Sequence, residues 1–378
     1  MAPSRYDLGA NELASMLSGS TLPIPNLKVP LANFPKGVNK YMHEIRQWVD
    51  RLIDENIHDG RKRAGVKRCD FGYLAACCYP YSEWEELKAS AAFLVWVFTW
   101  DDIIDHGEDD TGIISNADLA RIFCEQSLDH IKLKLELEDS HQTTASTQPL
   151  PSMTMFDHLA KPLTAEWNHT RKQRLCNEIE HYVNCCLVEH IQQEDDSIPT
   201  PEEFTIMRFG TSGITPGIAI CEFTRNVSLP DEIVESAPMK VIWKEITRLC
   251  MMINDIYSCQ KELRSGVIQN IIPVIAYASG TDDISTVTQE FMHIFQTSVN
   301  TFEEAFQVLK ALASPNTKLS EDIQKYIQNC QTITTGLLEW MLSSERYGIT
   351  KHLQADGSAL VPLIFENPQS QKLAAVEA

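Results

Sequence analysis

Helical periodicity runs through most of this chain and restricts its fold more than any other feature. In VNKYMHEIRQWVDRLIDEN (residues 38–56) and TQEFMHIFQTSVNTFEEAFQVLKAL (residues 288–312), apolar positions recur every three and four residues. That spacing places the apolar side chains on one face of an α-helix. A sustained alternation of period two, which marks half-buried strands, is missing. The sequence therefore predicts an all-α protein, with roughly ten or more helices in one domain over residues 36–350.

The two ends of the chain lack the helical pattern. Residues 1–35 are rich in Pro, Gly, Ser and Leu, and we expect them to form an irregular N-terminal arm. Residues 351–378 also lose periodicity, and we expect a C-terminal tail that is partly disordered. The predicted organisation is one helical domain between two irregular ends.

Charge and cysteine content exclude several classes of protein. A net charge of −20 argues against nucleic acid or an anionic membrane surface as a partner. The eleven cysteines contain no CxxC pair, so we expect buried free thiols in a reducing compartment and no structural zinc. No apolar run reaches the roughly 18 residues that a membrane helix needs, and the N-terminus lacks the pattern of a signal peptide. We expect a soluble, cytoplasmic protein without membrane insertion.

Three carboxylates follow an almost unbroken apolar run. Asp101, Asp102 and Asp105 come directly after ASAAFLVWVFTW, where a helix should enter a core. Asp101 and Asp105 are one turn apart, and like charges at that spacing repel each other more strongly as water is excluded. A bound divalent cation would remove this conflict. The alternative is a solvated acidic end of a helix.

A second oxygen-bearing cluster lies about 150 residues further along the chain, in MMINDIYSCQKELRSG. Asn254, Ser258 and Glu262 are four residues apart, so an α-helix places them in one stripe. Amide, hydroxyl and carboxylate oxygens are hard ligands that suit Mg²⁺ or Mn²⁺. Two such clusters facing each other would bind several Mg²⁺ ions, and such ions usually hold phosphates.

Basic side chains next to apolar segments fit the same interpretation. Arg208 lies in FTIMRFGTSGITPG, Lys261 is next to Glu262, and Arg346 and Tyr347 lie in WMLSSERYGI. Each cation taken singly could instead be an ordinary charge at a helix end. The glycines and the proline that follow Arg208 should break their helix; the alternative is an ordinary loop.

Together these motifs resemble those of class I terpene synthases, in particular the single-domain microbial sesquiterpene cyclases. DDIID resembles the aspartate-rich motif of that family, NDIYSCQKE its second metal motif, and RY its diphosphate-binding pair. Arg208 precedes Asn254 by 46 residues (254 − 208), as the diphosphate-sensing arginine of the family does. The resemblance covers roughly residues 20–350. It implies a single-domain helical bundle around a central apolar cavity, in a protein that can form a homodimer.

By this resemblance, Mg²⁺ is the cofactor, with three ions expected and Mn²⁺ as a substitute. Asp101 and Asp105 would bind two ions, and Asn254, Ser258 and Glu262 a third.

The resemblance also assigns roles to the neighbouring polar residues. Asp102 would accept a salt bridge from an arginine when the site closes. Arg208, Lys261, Arg346 and Tyr347 would bind the diphosphate of a prenyl diphosphate substrate.

The reaction of the family passes through a carbocation, and two aromatic residues of this chain are predicted to contact it. Phe98 is three residues before Asp101 and Trp340 is six before Arg346, and both would line the cavity as catalytic residues together with Asp101, Asp102 and Asp105. The alternative is that both simply pack in the core.

The implied reaction is Mg²⁺-dependent cyclisation of farnesyl diphosphate to a sesquiterpene hydrocarbon or alcohol. Geranylgeranyl or geranyl diphosphate is an alternative substrate. A chain-elongating prenyltransferase is disfavoured, because such enzymes carry a second aspartate-rich motif where this chain has Asn254, Ser258 and Glu262. A helical lipid-binding or scaffold protein is the non-enzyme alternative.

Overall fold

The computed structural model describes residues 8–106, 116–137, 151–192, 198–264, 266–313 and 316–366. Within these ranges the chain is mainly helical, as predicted. The helices are α1 Ala10–Leu17, α2 Met42–Asn56, α3 Gly60–Arg68, α4 Phe71–Cys78, α5 Trp84–His106, α6 Ala117–Lys134, α7 Pro151–Thr154, α8 Asp157–Glu166, α9 His169–Gln192, α10 Pro201–Thr211, α11 Ile214–Ala219, α12 Cys221–Thr224, α13 Asp231–Val234, α14 Ala237–Arg264, α15 Ile271–Ser279, α16 Ile284–Ala313 and α17 Thr317–Ser343.

Both ends of the described chain are more ordered than the composition suggests. Helix α1 and strand β1 (Thr21–Ile24) lie where an irregular arm was expected, and β1 pairs antiparallel with β2 (Ala359–Pro362). Leu22 on β1 and Val361 on β2 are buried. A four-residue strand is too short to show a period, and its partner lies more than 300 residues away, so the sequence pattern missed this pairing. The predicted tail beyond residue 366 lies outside the described residues.

The core of the bundle is formed by α4, α5, α14 and α17. Helix α4 is buried over nearly its whole length and packs against α2, α5 and α17, while α14 packs against α16 and α17. The middle of helix α5, residues 91–100, is almost entirely apolar, with Trp96 and Trp100 fully buried, as expected for a central helix. All eleven cysteines are free thiols and ten of them are buried, which confirms the part of the prediction that concerns their free, buried state.

A glycine sets the distance between α4 and α17. A Cβ atom at Gly336 would lie 2.5 Å from the backbone of Cys77 and Cys78. Gly336→Ala is therefore expected to lower the free energy of unfolding by about 1–3 kcal/mol, because the two helices must separate. Gly65 on α3 is the matched control, since its nearest neighbour is the flexible end of Arg68 at 3.9 Å. Gly65→Ala should raise the free energy of unfolding by about 0.5–1 kcal/mol through helix propensity. Urea unfolding measures both variants, and equal changes in Gly336→Ala and Gly65→Ala would contradict the packing argument.

The helix that carries Arg208 is broken, as predicted. Helix α10 ends at Thr211, Gly213 adopts a left-handed conformation with φ of 65°, and α11 begins at Ile214. A side chain at Gly213 would be strained and would bring its Cβ to 3.1 Å from Val97. The break therefore lies against α5, close to the first aspartate cluster. None of the described helices has the length and apolar character to span a membrane.

Candidate active site

One residue from each predicted oxygen cluster lines the same cavity. Asp101 near the end of α5 and Asn254 on α14 both line it, and so does Arg208 from α10. The remaining wall is mainly apolar and comes from α4, α5, α9, the α10–α11 break, α14 and α17. It consists of Leu74, Cys78, Leu94, Val97, Phe98, Tyr182, Thr211, Ser212, Gly213, Ile214, Cys250, Met251, Ile333 and Leu337. The cavity thus combines a polar end with an apolar interior.

The cavity is small in this structure, with a volume of about 120 Å³. Sites for small organic ligands are usually ~300–1,000 Å³. A ligand with a long hydrocarbon chain therefore requires side chains such as Leu94, Ile333 and Leu337 to move apart.

The two predicted aromatic residues differ in their position relative to the cavity. Phe98 lines the cavity, whereas Trp340 is fully buried and is not among the described lining residues. Its indole N–H donates to the backbone oxygen of Cys69 at 2.6 Å, and its ring packs against Phe98 with centroids 5.4 Å apart. Trp340 therefore lies behind Phe98, and the expectation that it lines the cavity does not hold here. The register of α17 turns Leu337 to the cavity in its place.

Neighbouring aspartates on α5 have different partners, because consecutive residues point about 100° apart around a helix. Asp101 accepts a hydrogen bond from the Tyr182 hydroxyl at 3.0 Å. Asp102 forms a salt bridge with Arg346 at 3.0 Å; the family resemblance implies a pairing with an arginine for the closed site. The side chain of Asp105 lies outside the described residues.

The three oxygen-bearing residues of α14 all accept or donate hydrogen bonds within the protein. Asn254 Oδ1 accepts from Arg208 Nη2 at 2.9 Å. The buried Ser258 hydroxyl donates to the backbone oxygen of Asp255 at 3.3 Å. Glu262 Oε2 accepts from the Asn270 amide at 2.8 Å. Arg208 therefore already lies against one of the predicted metal ligands.

Asp255 is the most important residue that the sequence interpretation missed. Its carboxylate accepts from Arg208 Nε at 3.0 Å and from the backbone N–H of Ile271 at 3.3 Å. Only 1% of the side chain is exposed. Burial raises the pKa of Asp255 to about 6, against the effect of the guanidinium. An aspartate inside the apolar run LCMMINDIY was the signal that could have identified it.

Asn270 was also missed, although it connects two parts of the site. It is fully buried, and its side-chain oxygen accepts from Ile272 N–H at 3.0 Å, which caps α15. Its amide group donates to the backbone oxygen of Asp255 at 2.6 Å and to Glu262 at 2.8 Å. Asn270 therefore holds the Glu262 carboxylate in place. In the sequence, an asparagine at an N-cap position predicts only that a helix begins there, and not a contact with Glu262.

A further carboxylate, Glu189 on α9, lies near the cationic end of the cavity. Burial raises its pKa to about 7, with Asp101 acting in the same direction and Arg208 opposing it. No sequence motif marked this residue.

The other two predicted cations, Arg346 and Lys261, lie near the aspartates of α5. Burial disfavours the charged form of Arg346, but the neighbouring Tyr347 and Asp102 raise its pKa above the ordinary value. Loss of hydration and the nearby Arg346 lower the pKa of Lys261. Burial raises the pKa of Tyr347 to about 12, so it remains a neutral hydroxyl. The Tyr347 hydroxyl also accepts from the Asn254 amide at 3.5 Å.

The donor set fits a divalent cation held jointly by protein and phosphate. Hard oxygen atoms from Asp101 and Asn254 face one cavity, and Ser258 and Glu262 continue the stripe on α14. Within the described residues, no group of three His, Cys, Asp or Glu side chains could hold a metal alone. Amide and hydroxyl ligands and the oxygens of an anion would therefore have to complete the coordination.

Comparison with known proteins agrees with this arrangement. Residues 92–329 match the profile of terpene synthase family 2, C-terminal metal binding. The chain is 25% identical to sesquiterpene cyclase hepA of Aspergillus oryzae over 362 residues, 94% of this chain and 96% of that protein. It is 25% identical to germacrene A synthase of Nostoc punctiforme over 341 residues, 87% and 97% of the two chains. The solved structure of a-eudesmol synthase shares the fold, with a TM-score of 0.71 and 17% identity over 82% of this chain and 97% of that one.

Proposed function

Because this chain belongs to terpene synthase family 2 and is an enzyme of that class, we propose that it is a Mg²⁺-dependent cyclase that converts farnesyl diphosphate to a sesquiterpene and diphosphate. The observation that carries the proposal is the convergence of Asp101 and Asn254 on one apolar cavity. The names of its relatives, a sesquiterpene cyclase and a germacrene A synthase, support a fifteen-carbon substrate. A homodimer remains an expectation from the family.

The residues proposed to hold the cofactor are Asp101 and Asp105 of α5, and Asn254, Ser258 and Glu262 of α14. When bound, Mg²⁺ would stabilise the negative charge that develops on the leaving diphosphate.

The protein itself supplies further positive charge for the same purpose. Arg208 lines the cavity beside Asn254, while Arg346 and Lys261 lie beside the aspartates of α5. Their N–H groups can donate to the diphosphate oxygens as the allylic carbon–oxygen bond breaks. Tyr347, kept neutral by burial, can donate its hydroxyl proton in a hydrogen bond.

The apolar interior suits the carbocation that remains after ionisation. Leu74, Leu94, Ile333 and Leu337 offer no nucleophile, and Phe98 presents an aromatic ring whose face attracts a cation without reacting. Excluding water from this space prevents early quenching of the cation.

Turnover of a panel of prenyl diphosphates tests the proposal. The protein is incubated with geranyl, farnesyl or geranylgeranyl diphosphate, with and without Mg²⁺, and each reaction is repeated with isopentenyl diphosphate added as the second substrate that elongation needs, while volatile products and released diphosphate are measured. We expect Mg²⁺-dependent release of diphosphate and a cyclic fifteen-carbon product. Preference for another chain length would correct the substrate, a longer linear diphosphate would indicate elongation, and no turnover with any of the three would contradict the proposal.

Asn270→Ala is expected to raise the Mg²⁺ concentration needed for half-maximal activity by about 10- to 100-fold, because the Glu262 carboxylate loses its orienting donor. Asn316→Ala is the matched control: Asn316 caps α17 by accepting from Leu319 N–H at 3.1 Å, away from the cavity. Both variants should lose about 0.5–2 kcal/mol of stability through the cap, and Asn270→Ala should lose more, because its buried amide also donates to Asp255 and Glu262. Thermal unfolding measures this shared loss, and an unchanged Mg²⁺ requirement in Asn270→Ala would refute the orienting role.

A further inference from the structure

Asn329 on α17 carries a buried carbonyl oxygen that makes no hydrogen bond. The residue is fully buried, and its amide N–H donates to Cys221 Sγ at 3.2 Å. Its Oδ1 atom has no hydrogen-bond partner among the described residues. An unsatisfied buried acceptor destabilises a folded protein, so nearly all buried polar side chains have a partner. This exception calls for an explanation, and the position of Asn329 in the fold provides one.

Asn329 lies on the side of the cavity that is remote from its polar end. Leu337 and Ile333 of α17 line the cavity, and Asn329 is the next residue of the same stripe, four residues before Ile333. The C-terminal end of α17 leads towards the polar end, because Tyr347 accepts from the Asn254 amide there. From Leu337 to Asn329 the helix runs eight residues in the opposite direction (337 − 329), about 12 Å along its axis.

Contacts with α11 and α12 hold the Asn329 side chain in one orientation. Cys221, the acceptor of its amide group, is buried on α12 and donates to the backbone oxygen of Gly217 at 3.6 Å. Tyr326, three residues before Asn329, is also buried and donates to the backbone oxygen of Ile218 at 3.3 Å. These hydrogen bonds connect α17 to the elements that follow the break after Arg208. The direction of the carbonyl oxygen is therefore set before any ligand binds.

A ligand with a long hydrocarbon chain gains access to this oxygen when the cavity expands. At about 120 Å³ the cavity is too small for such a ligand, and the side chain of Ile333 is one of those that must move. Ile333 is the lining residue next to Asn329 on the stripe. Its movement therefore exposes the Asn329 carbonyl to the part of the ligand that lies farthest from the polar end.

We propose that Asn329 is a catalytic residue whose carbonyl oxygen stabilises positive charge on the part of the hydrocarbon chain remote from the diphosphate. This proposal rests on the proposed function, because it assumes that a prenyl diphosphate ionises at the polar end of the cavity. In ring closure, the electron pair of a distal carbon–carbon double bond forms the new bond to the allylic carbon. The positive charge then passes to the other carbon of that double bond, beside Asn329, and Asn329 itself forms no covalent bond.

The electrostatics of the site favour this role. A carbonyl oxygen carries partial negative charge, and its attraction for a cation is strong in an apolar interior without water. Because the Asn329 oxygen accepts no hydrogen bond from the described residues, its interaction is gained only when the charged intermediate forms. An interaction that is absent in the ground state and present with the developing charge favours the reaction that produces that charge.

The products of Asn329→Leu test the proposal, since leucine has a similar branched shape and no dipole. We expect the ratio of cyclic to linear products from farnesyl diphosphate to fall about tenfold or more, measured by gas chromatography with mass spectrometry. The rate of diphosphate release should change little, because ionisation takes place at the other end of the cavity. An unchanged product ratio would overturn the proposal.

Thermal unfolding of the same variant tests whether Asn329 acts only through the structure. Replacing an unpaired polar group by an apolar one should leave the unfolding temperature unchanged or raise it by roughly 1–3 °C. Thr332→Val is the matched control on the same helix: Thr332 is fully buried, and its hydroxyl is paired, donating to the backbone oxygen of Cys78 at 2.9 Å. The control should unfold at a lower temperature and keep its product ratio. A lower unfolding temperature in Asn329→Leu, or equal shifts of the product ratio in both variants, would overturn the proposal.

Asn329→Asp separates the effect of the dipole from that of shape. A buried carboxyl group stays neutral, because burial raises its pKa. It keeps an acceptor oxygen and an O–H donor for Cys221, so this variant should retain most of the cyclic product. Equal losses of cyclic product in Asn329→Asp and Asn329→Leu would assign the effect to shape and overturn the proposal.

These measurements distinguish failure of this proposal from failure of the proposed function. If the unaltered protein forms a cyclic product and Asn329→Leu forms the same mixture, only the role of Asn329 is refuted. If the unaltered protein turns over no prenyl diphosphate, the proposed function is refuted, and the role of Asn329 is refuted with it.

Discussion

Asn254→Ala is expected to lower kcat by about 10³-fold or more while leaving the fold intact. The substitution removes the amide oxygen that faces the cavity from α14, and with it one of the proposed Mg²⁺ ligands. Asn254 is only partly buried, so its loss should change stability little. Release of diphosphate from farnesyl diphosphate measures activity, and thermal unfolding measures the fold.

Lys244→Ala on the same helix provides the control for Asn254→Ala. Lys244 is exposed and precedes Asn254 by ten residues (254 − 244), about 15 Å along the helix axis. The control should retain full activity. Full activity in Asn254→Ala would refute the assignment of this residue, whereas loss of activity with loss of the helical signal would mean that the variant is unfolded.

Asp255→Ala is expected to lower the free energy of unfolding by about 3–5 kcal/mol, because it leaves the Arg208 guanidinium without its carboxylate partner in a buried position. The two groups are 3.0 Å apart, with 16% of the arginine and 1% of the aspartate side chain exposed. The backbone N–H of Ile271 would lose its acceptor at the same time. Urea unfolding measures the loss.

Two further variants show whether burial is the cause of the Asp255 effect. Glu235→Ala removes the partner of Lys240 in a salt bridge of 3.1 Å whose side chains are more than half exposed, and it should cost only about 0–1 kcal/mol. Replacing both Arg208 and Asp255 by leucine should cost less stability than Asp255→Ala alone, since no unpaired charge remains. A double variant less stable than the single one would show that the pair contributes through its own attraction.

Much of the candidate site could be predicted from sequence because its motifs are local. Asn254, Ser258 and Glu262 share a stripe once α14 forms, and helix formation depends on the residues immediately around them. Asp101 and Asp102 were expected at the end of an apolar helix, where α5 places them. The break after Arg208 followed from glycine and proline chemistry, and Gly213 provides it.

Contacts between distant segments could not be predicted in the same way. The sequence offered Phe98 and Trp340 as equivalent aromatic residues, yet the rotation of α17 leaves Trp340 behind Phe98. Asp255 and Asn270 had no motif of their own, since their roles appear only when α15 packs on α14. The arm that was expected to be irregular forms strand β1 because a partner strand from the other end of the chain reaches it.

The sequence by itself determined the helical class, the two stripes of oxygen ligands and the break beside Arg208. Each of these depends on backbone geometry and side-chain chemistry within a few residues. Only the tertiary structure decided that Asp101 and Asn254 face one cavity, that Arg208 pairs with Asp255, and that the Asn329 amide donates to Cys221. Those placements follow from how long helices pack, which is set by the shape of the whole core and not by any short stretch of chain.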